Sequence, residues 1–231
     1  MRVPGSRDAF LLLGGALLAL GLILSGWRPH DRPTWLMEVA PILVGLPVLW
    51  LTRKRVPLTP LLYALIFLHA VILMVGGAYT YARVPLGFRV QEWLGLDRNP
   101  YDKLGHFAQG FVPALLAREI FLSTGLVRGL WMTPFLCGCV AMAVSAGYEL
   151  IEWAAALALG QGADAFLGTQ GDPWDTQSDM FLALVGALAG LLLLSGWQDR
   201  QRLSLCDTRS STRMPNRPFT SGGQPNSDAG V

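Results

Sequence analysis

Apolar residues fall in long runs broken by short polar connections, and these runs set the architecture. The stretches 9–27, 35–51, 58–81, 106–122, 130–159 and 180–197 read as membrane spans. Most approach the roughly 20 residues that carry a helix across a bilayer. The second and fourth are short, and the fifth is too long unless it tilts, protrudes or starts nearer Pro134. A helix satisfies its own backbone hydrogen bonds in lipid, so runs of this length predict helices rather than a barrel. The expected fold is all-α: a polytopic transmembrane helix bundle of about six spans within residues 1–198. Residues 199–231 form an expected disordered cytoplasmic tail, because from Ser204 on they are rich in Ser, Thr, Pro, Gly and Asn and have little to bury. Between the third and fourth spans, Val84 to Leu96 sets Leu86, Phe88, Val90, Trp93 and Leu94 among charges. That pattern predicts an amphipathic helix on the outer surface.

Composition agrees with this pattern. Of 231 residues, 52% are hydrophobic and 15% charged, and the mean hydropathy is +0.40. A chain this apolar is no ordinary soluble domain, and its length leaves no room for a large one. Cys137 and Cys139 lie inside an apolar run and Cys206 in the tail, which is neither a disulfide framework nor a zinc spacing. Trp27-Arg28-Pro29-His30 follows the first run and is not a small-residue cleavage pattern, so the run reads as a retained helix.

Charge placement predicts orientation. Arg2 and Arg7, the run Arg53-Lys54-Arg55, and Arg200, Arg202, Arg209, Arg213 and Arg217 share one side of a six-span chain, which should be cytoplasmic. The loop from Gly160 to Asp179 has four Asp and no Lys or Arg, as suits the outside. The loop from Ala82 to Lys103 dissents, with four basic residues. The expected location is the bacterial inner membrane, multi-pass, with both termini cytoplasmic.

Two octets share one grammar. Asn99-Pro100-Tyr101-Asp102-Lys103-Leu104-Gly105-His106 opens one apolar segment, and Asp172-Pro173-Trp174-Asp175-Thr176-Gln177-Ser178-Asp179 opens another. Asn99 and Asp172 suit helix N-caps, and Pro100 and Pro173 suit the first helical position. Asp102 and Asp175 then fall at the third position, where a carboxylate caps the helix and meets its positive end. Capping leaves His106 and Asp179 unexplained. Each lies one turn deeper on the same helix face, and the two helices run inward in parallel, so the pair shares a depth. Glu149 and Glu152 lie three apart on the fifth span, with Ser145 on the Glu149 face. Ionisable groups within spans are costly and usually face a cavity or a partner. Glu152 beside Trp153 also fits the headgroup layer. Glu38 could join the cluster. Lys103 could pair with an Asp, Arg118 reads as an anchor or ion-pair partner, and His69 as a core residue.

The candidate site is therefore His106, Glu149, Glu152 and Asp179, with Asp102, Lys103, Asp172, Asp175 and Gln177 in support. His106, Glu149 and Asp179 offer nitrogen and oxygen ligands suited to a divalent metal. Without a metal, the same groups could run general acid–base chemistry or form a proton or cation path. HExxH, GxSxG, P-loop and dinucleotide motifs are absent.

Three stretches carry a resemblance: Tyr101 to Phe107, Tyr148 to Trp153, and Leu167 to Met180, with Gly168 to Asp179 the most specific part. In these the chain resembles the YjdF/DUF2238 family of bacterial inner-membrane proteins, over roughly Arg53 to Trp197. That family brings no established activity. The Asp-Lys-x-x-His opening, the embedded Glu and the late Asp are more distantly similar to VanZ-like proteins, which are associated with glycopeptide resistance. Those tend to carry an Arg before the late Asp, where this chain has none. The expected partners are the lipid bilayer and a lipid-linked or envelope substrate, with no nucleic acid. The leading expectation is metal-assisted or acid–base chemistry at the outer leaflet. The alternatives are a small transporter or ion pathway, and a non-catalytic membrane assembly subunit.

Overall fold

A computed structural model of the chain describes residues 6–159 and 170–213. Seven helices and no strands occur among them: α1 (Ser6–Trp27), α2 (Arg32–Thr52), α3 (Pro60–Tyr79), α4 (Pro85–Leu94), α5 (Tyr101–Thr124), α6 (Met132–Leu159) and α7 (Asp175–Arg213). Five of them, α1, α2, α3, α6 and α7, are long and apolar enough to cross a membrane. At 24 residues α5 has the length as well, but Asp102, Lys103, His106, Gln109, Arg118 and Glu119 lower its hydropathy. The packing accounts for this, since α3, α6 and α7 all pack against α5. A helix enclosed by other helices need not present an apolar face to lipid. The helix α4 forms where the amphipathic pattern places it. The last helix continues past residue 197 to Arg213, so residues 199–213 of the expected tail are helical. The rest of that tail, and Leu167, Gly168 and Thr169 of the resemblance, lie outside the described residues.

Local chemistry sets several boundaries. Asp31 caps α2, accepting from the Thr34 backbone N–H at 2.8 Å and its hydroxyl at 2.7 Å. Thr59 caps α3, followed by Pro60 at the first helical position. Gly95 and Gly125 end α4 and α5 in the left-handed region, at φ 62° and 72°, where glycine carries no Cβ penalty.

Helices α5 and α7 run parallel and touch through their backbones. A Cβ on Gly110 would lie 1.7 Å from the Ala183 carbonyl oxygen, and one on Gly186 2.0 Å from that of Phe107. Lipid tails offer no hydrophobic drive between helices, so small residues that permit close approach supply the packing. Below this contact, Ala114, Ala117, Cys137, Ala141 and Ala187 form a buried small-residue core shared by α5, α6 and α7. Large apolar side chains such as Leu24, Leu192 and Leu193 point outward and are 67%, 82% and 73% exposed. Such an inverted distribution fits a lipid surround.

The far end of the α5–α7 pair is tied by charge. Arg118 makes a two-pronged pair with Asp199 at 2.9 and 2.8 Å and donates to the Gln198 Oε1 at 3.0 Å. Glu119 is fully buried. It accepts from the Thr59 backbone N–H, from the Thr59 hydroxyl at 2.8 Å and from Gln198 Nε2 at 2.9 Å. One carboxylate thus joins the start of α3 to α5 and α7, at the positive end of the α3 dipole.

The glycine contact predicts an asymmetry. Gly186→Val should cost more than the about 1–3 kcal/mol of ordinary overpacking, because backbone rather than side chain must give way. Gly196→Val on the same helix meets nothing within 4 Å and should be neutral. Size-exclusion profiles and melting temperatures of the purified variants in detergent check both.

Candidate functional site

Both octets open with the same turn. Asn99 Oδ1 accepts from the Tyr101 N–H at 3.0 Å, and Asp172 Oδ1 accepts from the Trp174 N–H at 2.9 Å. These are Asx turns, in which the side chain holds the amide two residues on. They set the helix starts one residue or more later than N-capping by Asn99 and Asp172 implies. Pro100 occupies the capping position of α5, and Asp175 is the first residue of α7. Asp175 engages cations across the site, and Asp102 faces His106 one turn along its own helix. The two turns are clamped together: Gln170 accepts from the Asn99 N–H and donates to its carbonyl, both at 3.2 Å. Asn99 is buried and donates to the Val84 carbonyl at 3.0 Å. It rests on Gly87, where a Cβ would lie 1.8 Å from its Oδ1.

Lys103 spans the α5–α7 gap. Its Nζ lies 2.9 Å from Asp175 Oδ1 and 2.7 Å from Asp179 Oδ1, and it donates to the Ser178 hydroxyl. All three ammonium protons are thereby used. Arg98, in the connection before α5, pairs with Asp175 at 2.6 Å and Asp172 at 3.1 Å. These two cations neutralise the α7 carboxylates on one side.

His106 occupies the centre and is buried. Its Nε2 faces Asp102 Oδ1 at 3.4 Å and Asp179 Oδ2 at 3.8 Å. Its Nδ1 faces Gln109 Oε1 at 3.1 Å and Glu149 Oε1 at 3.8 Å. The ligand atoms of Asp102, His106 and Asp179 all lie within 4.8 Å of one another. The trio that converges is therefore Asp102, His106 and Asp179. Glu149, expected in that trio, sits on the other side of the imidazole. Its Oε1 is buried without a hydrogen-bond partner among the described residues. Glu152, one turn further along α6, lies close enough to feel the charges of Glu38, Glu149 and His106. Gln177 is exposed; two residues from both Asp175 and Asp179, it points off their face.

A third wall comes from residues that sequence reasoning passed over or weighted lightly. Glu38 of α2 is buried and accepts from the Tyr148 hydroxyl at 3.1 Å. Tyr81 also hydrogen-bonds Glu38. Tyr81 is placed by a left-handed pair, Thr80 at φ 53° and Tyr81 at φ 50°. Non-glycine residues held there cost energy and mark a backbone fixed by its surroundings. The Tyr81 ring fills the space above Gly76 and Gly105, where a Cβ would come within 2.3 and 2.8 Å of it. Burial, and next the charge of Glu38, push its phenol well above the ordinary range, so it stays a hydrogen-bond donor.

Fold and site together define an integral membrane protein with a buried polar centre at one end of a helix bundle. The model for the family described as "Predicted membrane protein (DUF2238)" matches residues 10–200. The inner membrane protein YjdF of Escherichia coli (strain K12) is 64% identical over 193 residues, covering 83% of this chain and 92% of the relative. The chain belongs to the DUF2238 family. No solved structure matches it.

Removing Lys103 takes the ammonium partner from buried Asp179, while Asp175 keeps Arg98, and breaking such a buried pair costs about 3–5 kcal/mol. Lys103→Met should lower the melting temperature sharply, and adding Asp179→Asn should restore part of the loss. Equal melting of the single and double variants would contradict this assignment.

Proposed function

We propose that this chain is a multi-pass inner-membrane protein whose His106 centre performs metal-assisted acid–base chemistry on a lipid-linked or envelope substrate at the outer leaflet. The observation that carries the reading is the convergence of Asp102, His106 and Asp179 from two helices, with Glu149 of a third facing the other ring nitrogen. Ligand atoms each about 2.1 Å from a tetrahedral ion lie about 3.4 Å apart. The separations of 3.4 and 3.8 Å at Nε2 suit a divalent ion held by Asp102, His106 and Asp179. Lys103 occupies the Oδ1 of Asp179 and leaves Oδ2 available. Glu149 would then orient the imidazole from behind, as carboxylates do for ligating histidines. Such an ion would supply a Lewis acid and an activated water.

Orientation supports the outer placement. The centre lies at the start of α5 and α7, and the run Arg53-Lys54-Arg55 lies at the opposite end with Arg118 and Arg202. An excess of basic residues marks the cytoplasmic side, which supports both termini lying there. The relative's name supports the inner membrane as the location.

Two measurements test the reading. Purified protein should carry about one divalent ion, and His106→Ala should lose it. In cells lacking the native copy, His106→Ala, Asp102→Asn and Asp179→Asn should fail to restore an envelope-stress phenotype that wild type and Gln177→Ala restore. Equal metal in wild type and His106→Ala would remove the metal from the account. Full rescue by all three site variants would end it.

A further inference from the structure

A second feature lies at the opposite end of the bundle. Helix α1 packs on α3 and makes only sparse contact with α2. The two therefore diverge, and a groove of about 600 Å³ opens between them, floored by α3. Phe10, Gly14, Leu18, Pro47, Trp50 and Phe67 are among its lining residues, which are almost wholly apolar. Gly14 and Gly15 have nothing within 4 Å of where a Cβ would be, which widens the opening. Interiors of proteins are otherwise close-packed, and unfilled apolar space forfeits dispersion contacts on every wall. In a bilayer, the apolar matter at hand is an acyl chain.

The rim of the groove is charged. Arg53 lines it at the end of α2, with Lys54 and Arg55 next in sequence. Its guanidinium stacks on the Trp50 ring, 3.6 Å from the centroid, and donates through Nη1 to the Trp50 carbonyl. That stacking fixes the plane of the fork. Its Nε is buried and has no hydrogen-bond partner among the described residues. A fixed guanidinium with an unmatched buried N–H, over an apolar slot, is complementary to a phosphodiester bearing an acyl chain. Guanidinium forks match phosphate oxygens in two-pronged geometry, and basic pockets between membrane helices on the cytoplasmic side hold anionic headgroups.

We propose that the α1–α2–α3 groove is a binding site for one anionic phospholipid, its acyl chain lying along Gly14 and Pro47 and its phosphate on Arg53. The test uses the full chain, purified in detergent and incubated with equimolar phosphatidylglycerol and phosphatidylcholine, with retained lipid counted by native mass spectrometry. Wild type should retain phosphatidylglycerol about fivefold over phosphatidylcholine, the discrimination expected of one basic residue at a membrane surface. Arg53→Gln should abolish that preference, and Arg53→Lys should keep part of it. Gly14→Leu, which meets no steric obstacle, should reduce retention of both lipids by filling the slot. Equal retention of the two lipids by wild type overturns the proposal, as does an unchanged preference in Arg53→Gln. If Arg53→Gln does not fold, Gly14→Leu decides, and undiminished retention there overturns the proposal.

Discussion

The backbone contact between α5 and α7 is the constraint on which the rest depends. Gly110 and Gly186 let two parallel helices approach until no side chain fits between them, with Ala183 and Phe107 offering carbonyls to the facing glycines. The register set there brings the first turns of both helices side by side. Lys103 then reaches Asp175 and Asp179, and His106 reaches Asp179, as local consequences. At the far end the Arg118–Asp199 pair holds the same register. A slip of either helix by one residue would rotate every one of these partners away.

Charge at the site is held in an uneven balance. Asp102, Asp175, Asp179, Glu38, Glu149 and Glu152 meet Lys103, Arg98 and the imidazole of His106. Desolvating so many carboxylates is expensive, and buried ion pairs commonly fail to recover the cost. Sequences that violate local stability in this way usually do so where function requires it. Lys103 and Arg98 are committed to α7, which leaves His106 to face Asp102 and Glu149, whose Oε1 has no hydrogen-bond partner among the described residues. The polar cluster at the opposite end differs in kind. Every acceptor of Glu119 is engaged, so it reads as a fastening. Between the two clusters the glycine contact closes the α5–α7 seam, which gives a continuous ion path little support.

The all-helical class and the five apolar spanning helices were legible from run length, and α4 from its amphipathic pattern. The shared depth of His106 and Asp179 was legible too, because two helices with the same opening grammar entering from one side must align. Other parts were hidden for physical reasons. Asp102 and Asp175 look like caps, since carboxylates near helix starts usually cap. Only the partners across the gap reveal that Asp175 faces two cations and that Asp179 joins Asp102 at the same ring nitrogen of His106. Arg98 sits in a connection whose path no periodicity specifies. Glu38 is separated from the others by two helices, and the position of Tyr81 rests on left-handed backbone at Thr80 and Tyr81, which no glycine announces. Glu149 has the right depth, but which imidazole nitrogen it faces depends on side-chain direction. Gln177 shares the motif without sharing the face.

The most direct measurement is proximity across the α5–α7 mouth in native membranes. With Cys137, Cys139 and Cys206 replaced by serine, Asp102→Cys and Asp179→Cys are introduced together and treated with a short bifunctional thiol reagent. A cleavage site engineered between the two helices then shows whether the halves stay joined. The account predicts near-complete joining for this pair and little for Asp102→Cys with Gln177→Cys. Equal joining of both pairs, or of neither, would contradict the convergence on which the proposed centre stands.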